Sequence, residues 1–316
     1  MTSHLHHEYF VDVRDDVTLC VETFGDREDT PVLLVCGLGA QLLTWPQGLC
    51  ELMADAGHFV IRFDNRDVGK STRLAGQSVP SPHALTDKIK EGIDIQVPYL
   101  LKDMADDAAL VLDHFGIDSA HVLGCSMGGM IAQDFAIHHA NRTRSLTSIM
   151  STTSRPGLPP PRQHALAALL IPPATSPDEV LGRAMLVMRT IGSTEEHFDE
   201  EMVSELALEA FDRADSCPDA FARQFAAILA SGSRREALME LKVKALVLHG
   251  SADPLIPVEC GEDTADAIAG SEYVVVEGMG HDLPRKFWAQ YMDAFQRVWA
   301  KGERQYRWRR DFGRAA

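Results

Sequence analysis

Ser126, His281 and Asp253 are the residues of this 316-residue chain whose types and settings could support nucleophilic chemistry. Ser126 lies in "HVLGCSMGGM" as Gly124-Cys125-Ser126-Met127-Gly128, a G-x-S-x-G pattern where an apolar strand-like run stops and the helical pattern "GMIAQDFAIHH" begins. A chain that reverses so sharply needs small neighbours, and Gly124 and Gly128 would leave the hydroxyl exposed above a sheet. A serine hydroxyl is a poor nucleophile until a base takes its proton, and the base needs an acid to hold its orientation.

Among thirteen histidines, His281 stands out because "VVVEGMGHDLP" ends the last apolar run and enters a glycine-rich loop, where an imidazole can lean over a sheet-top serine. His138 and His139 end a helical pattern, His114 lies on an amphipathic one, and His4, His6 and His7 form a solvated terminus. A metal site at that terminus lacks any further Cys or His at ligand spacing, so no metal is expected. For the acid, "VLHGSADPLIP" places Asp253 just beyond the penultimate strand-like run, with an N-cap or turn aspartate as its other reading. The rival position, "SLTSIMSTTSRPG", holds no Asp or Glu.

Acyl transfer also needs two N–H donors where a carbonyl oxygen turns negative. One expected donor is the backbone amide of Met127, at the start of the following helix where the dipole helps. The other is the amide of Leu38 in "VLLVCGLGAQLLTW", where Gly37 and Gly39 allow close approach. The G-x-G there is no dinucleotide fingerprint, because Leu42 stands where the third glycine would be.

The elements that must position these residues follow from hydrophobic pattern. "YFVDV", "TLCVETF", "PVLLVC", "HFVIRF", "AHVLGC", "SLTSIM", "KALVLHG" and "EYVVVEG" alternate with helical segments, which predicts an α/β fold with a mostly parallel eight-stranded sheet flanked by helices. The first two runs, joined by the charged turn Arg14–Asp16, predict an antiparallel hairpin. In "LLKDMADDAALVLDHFG", Leu101, Met104, Ala108, Leu112 and Phe115 fall at helical spacing, with the intervening acidic residues expected to face water.

Residues 151–239 show no strand pattern and open on "SRPGLPPPRQ" and "IPPATSPDE". Phe221, Phe225, Ile228 and Leu229 trace one helical face, and Met185, Met188 and Ile191 another, so this stretch is expected to be a helical cap inserted after the sixth strand. Residues 1–150 and 240–316 are expected to form the core domain. Leu158, Leu166, Leu169, Leu170, Ile171, Met185 and Met188 could roof an apolar pocket or simply pack the cap onto the core. The basic tail "KGERQYRWRRDFGRAA" reads as a frayed terminus, with contact to an acidic surface as its other reading.

Composition narrows the classes. With 45% hydrophobic residues the chain can bury a large core, and a net charge of −16 argues against a nucleic-acid surface. "MTSHLHHEYF" has no apolar signal region and no later run is long enough to span a bilayer, so a cytoplasmic location without a membrane span is expected. Six scattered cysteines without a C-x-x-C pair predict reduced, mostly buried thiols.

"VCGLGA", "IRFDNRDVGKS", "GCSMGGMIAQ", "LVLHGSADPLIP" and "GMGHDLP", in this order over nearly the whole length, resemble the α/β-hydrolase family. The order Ser126, Asp253, His281 is the one that resemblance implies. "RFDNRDVGKST" and the proline-marked cap are most similar to the aclacinomycin methylesterase-like carboxylesterase branch. Two departures stand out: Cys36 where much of the family has histidine, and Asp67 after Arg66 where glycine is usual. The oxyanion donors are backbone amides, so neither removes the chemistry. Cys36 and Cys125 flank the site and read as small buried residues, with a thiol role as the other reading.

The expected activity is hydrolysis of a small to medium apolar carboxylic ester through an acyl-enzyme on Ser126, by a monomer or homodimer needing no cofactor. A carbon–carbon bond hydrolase or cofactor-free perhydrolase on the same residues, or a non-catalytic ligand-binding member of the fold, are the alternatives.

Overall fold

The computed structural model describes residues 6–14, 16–174 and 176–312. Among these, the strands are β1 (His7–Arg14), β2 (Val17–Phe24), β3 (Thr30–Val35), β4 (His58–Phe63), β5 (Ala120–Cys125), β6 (Thr143–Ile149), β7 (Lys244–Gly250) and β8 (Glu272–Val276). They form one sheet in the order β1-β2-β4-β3-β5-β6-β7-β8. β1 and β2 pair antiparallel, β2 joins β4 antiparallel, and every later pairing is parallel. All eight runs read from the sequence are strands, and the hairpin is present, although Asp15 of its turn lies outside the described residues.

The helices are α1 (Gln47–Asp55), α2 (Pro82–Lys90), α3 (Leu101–His114), α4 (Met127–His138), α5 (Gln163–Leu169), α6 (Pro177–Ile191), α7 (Glu200–Arg213), α8 (Pro218–Ser231), α9 (Arg235–Met239), α10 (Val258–Ala267) and α11 (Trp288–Phe312). Five of them, α5 to α9, lie between β6 and β7.

Alternation along the central strands splits the core in two. Leu33, Val35, Val122 and Leu146 pack on one face with Met104, Leu112, Ile131 and Phe135 of α3 and α4. Val32, Leu34, Leu123, Leu246 and Leu248 pack on the other with Trp45, Met53, Phe295 and Trp299. Each such side chain is essentially removed from water, which contributes about 1.5–3 kcal/mol apiece. The sheet therefore has both faces covered, as its near-continuous apolar strands require. Parallel strands deliver their following loops to one edge, so the turns after β3, β5, β7 and β8 gather there.

Two expectations fail for identifiable reasons. Asp107 of α3 does not face water: it is buried, and its carboxylate takes Arg66 Nε at 2.7 Å and Nη2 at 2.6 Å. The tail does not fray at Lys301, because α11 continues to Phe312, anchored where Arg309 and Gln305 donate to the Lys242 carbonyl at 2.7 Å each. Residues 313–316 lie outside the described residues, as does His4 of the histidine cluster. Helix α2 follows from no apolar period but from Ser81, which accepts from Ala84 N ahead of Pro82.

Candidate active site

The turn after β5 carries Ser126 at φ +57°, ψ −124°, a left-handed conformation rare outside glycine. It is held by Ser126 N donating to Ile149 O at 2.9 Å, with Ser126 O accepting from Gly129 N at 2.9 Å and from Ser151 Oγ at 2.8 Å. The neighbouring glycines are steric necessities. A Cβ on Gly124 would stand 2.0 Å from Gly128 O, and one on Gly128 would stand 2.2 Å from Val35 O. Gly37 crosses the serine so closely that a Cβ there would lie 3.3 Å from Ser126 Cβ.

His281 Nε2 lies 2.9 Å from Ser126 Oγ, and its Nδ1 lies 2.7 Å from Asp253 Oδ2. Asp253 is buried, and its other oxygen accepts from Leu255 N at 2.8 Å and Ile256 N at 2.9 Å. One Asp253 oxygen thus bonds the backbone of its own turn while the other bonds His281. The histidine loop is tied to the end of α6, with His281 N donating to Ile191 O at 2.7 Å and Gly280 N to Ser193 Oγ at 3.1 Å.

Ser126 and His281 open onto a cavity of about 560 Å³. Leu38 and Met127 line it, Met127 as the first residue of α4. Much of the remaining wall is apolar and comes from residues between β6 and β7, including Leu166, Leu169, Val187, Met188, Leu206 and Phe211. Of the residues expected to roof a pocket, Leu166, Leu169 and Met188 do line it; Leu158, Leu170, Ile171 and Met185 do not. Ile171 packs instead with Ala165 and Leu255. Periodicity marks a helix's apolar face without saying which turns of it face a hollow.

The flanking thiols are buried. Burial pushes the Cys125 thiol up to about 12 and the Cys36 thiol well above its ordinary value, so both stay protonated. All six cysteines are free. Burial also raises the Asp282 carboxyl on the cavity wall, against the pull of Ser193 Oγ, which donates to it at 2.6 Å. Among the described residues no three His, Cys, Asp or Glu side chains gather as metal ligands, and no helix is long and apolar enough to cross a membrane.

Several polar residues at the site escaped the sequence. His249, one strand back, has Nε2 2.8 Å from Ile256 O and 3.7 Å from Asp253 Oδ2, and burial lowers its proton affinity. Gln224 and Arg223 of α8 bond to the loops around Gly39 and Asp67. The signal available for the last two was a polar pair set inside an apolar helical face, between Phe221 and Phe225.

Comparison with known proteins identifies the family of the chain. A family model described as the alpha/beta hydrolase fold matches residues 30–284. The chain is 30% identical to the rhodomycin D methylesterase of Streptomyces sp. (strain C5) over 290 residues, 86% of this chain and 91% of that protein. It is 27% identical to 3-oxoadipate enol-lactonase 2 of Acinetobacter baylyi, over 83% of this chain and 86% of that protein. Among solved structures, the 2-hydroxy-6-oxo-6-phenylhexa-2,4-dienoate hydrolase of Rhodococcus sp. strain RHA1 superposes with a TM-score of 0.70 at 19% identity, covering 96% of this chain and all of that one. At that identity the likeness concerns the fold.

Proposed function

Because the chain belongs to the alpha/beta hydrolase fold family, we propose that it is a serine carboxylesterase acting on small to medium apolar carboxylic esters. The observation that carries this reading is the hydrogen-bond chain from Ser126 through His281 to Asp253 on the wall of a largely apolar cavity. The methylesterase relatives support a small alcohol as the leaving group.

In the proposed reaction His281 Nε2 takes the Ser126 proton as Oγ attacks the ester carbonyl, and Asp253 holds the imidazole and balances its charge. The amides of Leu38 and Met127 stabilise the oxyanion. The C–O bond to the alcohol breaks as His281 returns the proton to it. Water, deprotonated by the same histidine, then attacks the acyl-enzyme and releases the acid and free Ser126. Each proton and electron pair comes from serine, histidine, ester or water, so the scheme requires no cofactor. Residues 151–239 act in this reading as a cap that supplies much of the acyl-binding wall, over a core of residues 1–150 and 240–316.

A fluorophosphonate probe together with p-nitrophenyl esters of graded acyl length tests the proposal. Labelling at Ser126 with ester hydrolysis is expected. Neither labelling nor hydrolysis would overturn it, and labelling without ester turnover would point to carbon–carbon cleavage or ligand binding instead.

A further inference from the structure

We infer that Gln224 is a positioning residue that fixes the loop carrying the Leu38 amide, so that one helix between β6 and β7 sets half of the oxyanion site. This rests on the esterase reading for its catalytic consequence.

Gln224 is fully buried in α8. Its Oε1 accepts from Gly39 N at 2.8 Å and its Nε2 donates to Arg66 O at 2.7 Å, so one carboxamide joins the loop after β3 to the loop after β4. The Gly39 amide is thereby engaged by the helix, leaving its neighbour Leu38 on the cavity wall as the amide free to serve a substrate oxygen. Phe221, one turn earlier, sits beside Gly39, where an added Cβ would stand 2.7 Å from its ring, and Gly39, itself exposed, holds φ +64°.

The helix making this contact is itself pinned. Arg223 Nε and Nη2 grip the two Asp67 oxygens at 2.8 and 2.7 Å, and Tyr99 OH adds a third bond to that carboxylate at 2.7 Å. The far end of the same loop is held from α7, where Gln41 Nε2 donates to Ala210 O at 2.7 Å and Arg213 Nη1 donates to Gln41 Oε1 at 2.9 Å. Leu38 directly precedes the Gly39 anchor, in the short stretch between the end of β3 at Val35 and these contacts. A donor for a transient oxyanion must be in place before charge develops, since moving it during reaction forfeits its advantage. Loss of the Gln224 anchor therefore weakens transition-state stabilisation and leaves ground-state binding in the apolar cavity intact.

The test compares wild type with Gln224→Met, which keeps the side chain's length and removes both bonds, and Gln224→Glu, which in its protonated form keeps the acceptor for Gly39 N and a donor for Arg66 O. Gln224→Met is expected to lower kcat by about 10- to 100-fold with KM within roughly threefold, and to speed hydrogen exchange of the Gly39 amide. Gln224→Glu is expected to recover much of both. Unchanged kcat in Gln224→Met, or equal kcat losses in both variants with Gly39 exchange as slow as in wild type, would overturn the inference. Should Gln224→Met not fold, wild type still decides it: Gly39 N–H must be strongly protected and Leu38 N–H must not, and the reverse order sinks the idea. Absence of fluorophosphonate labelling would remove the esterase reading alone, because amide protection at Gly39 is read without turnover.

Discussion

His281 Nε2 stands 2.9 Å from Ser126 Oγ although the two residues are 155 positions apart in sequence. Only the parallel order of β5, β7 and β8 brings their loops to one edge. Replacing Ser126 by Ala removes one oxygen facing the cavity and leaves the backbone bonds of the turn in place. Ser126→Ala and His281→Ala are each expected to lower kcat/KM for a p-nitrophenyl ester by about 10⁴-fold or more. Thermal denaturation of Ser126→Ala is expected to match wild type within roughly 0.5 kcal/mol. Substantial residual hydrolysis by Ser126→Ala would identify a different nucleophile.

Asp253→Asn should be nearly as severe, for a reason fixed by the turn. Leu255 N and Ile256 N both donate to Oδ1, so an asparagine keeps its oxygen there and turns its NH₂ toward His281 Nδ1. The imidazole must then carry its proton on Nε2, facing Ser126, where it cannot act as a base. A fall in kcat of about 10⁴-fold with little loss of stability is expected. Steady-state kinetics beside a denaturation curve checks this, and an active variant would show that Asp253 serves only the turn.

How much of this could be read in advance differs by the kind of interaction. The strands were legible because burial on both faces forces unbroken apolar runs such as "PVLLVC", and the Ser126 turn was legible because its glycines are sterically compelled. Asp107 was not, because its partner Arg66 is 41 residues away and a helical period carries no trace of it. Gln224 was hidden the same way: a carboxamide within an apolar stripe reads as a lapse in the pattern until the Gly39 and Arg66 loops are seen against it. Asp67 was noticed as a departure from glycine, and the structure supplies its reason in the grip of Arg223.

That ion pair is buried, with Asp67 at a left-handed φ of +69°. Arg223→Ala leaves a desolvated carboxylate with Tyr99 and Leu74 N as its remaining partners, and should destabilise the protein by about 3–5 kcal/mol. Adding Asp67→Gly removes the stranded charge and relieves the backbone, so the double variant Asp67→Gly/Arg223→Ala should be more stable than Arg223→Ala alone. Urea denaturation of the four proteins in this cycle decides it, and additive losses would show that the pair is not coupled.

His121 sets an acid limit on stability far from the cavity. It is wholly buried in β5, stacked on Trp299 with ring centroids 5.6 Å apart, and its Nδ1 lies 2.7 Å from Ser145 Oγ. Burial lowers its pKa from 6.5 to about 4, with Arg144 and His58 adding to the effect and Glu303 opposing it. The unfolded chain binds this proton more readily than the native one, so its contribution is complete above pH 6.5 and is lost as pH falls toward 4. Such a shift corresponds to roughly 3 kcal/mol. Burial lowers His58 and His249 as well, so each also begins to lose its contribution as pH falls below 6.5. Glu303 acts lower down: held near 2 by His121 and Arg144 against an ordinary 4.5, it keeps its contribution above pH 4.5 and gives it up toward 2. His121→Asn can still bond Ser145 but cannot take up the proton. Its melting temperature should therefore fall less steeply than that of wild type between pH 6.5 and 4. Identical slopes in the two proteins would mean that His121 does not govern this transition.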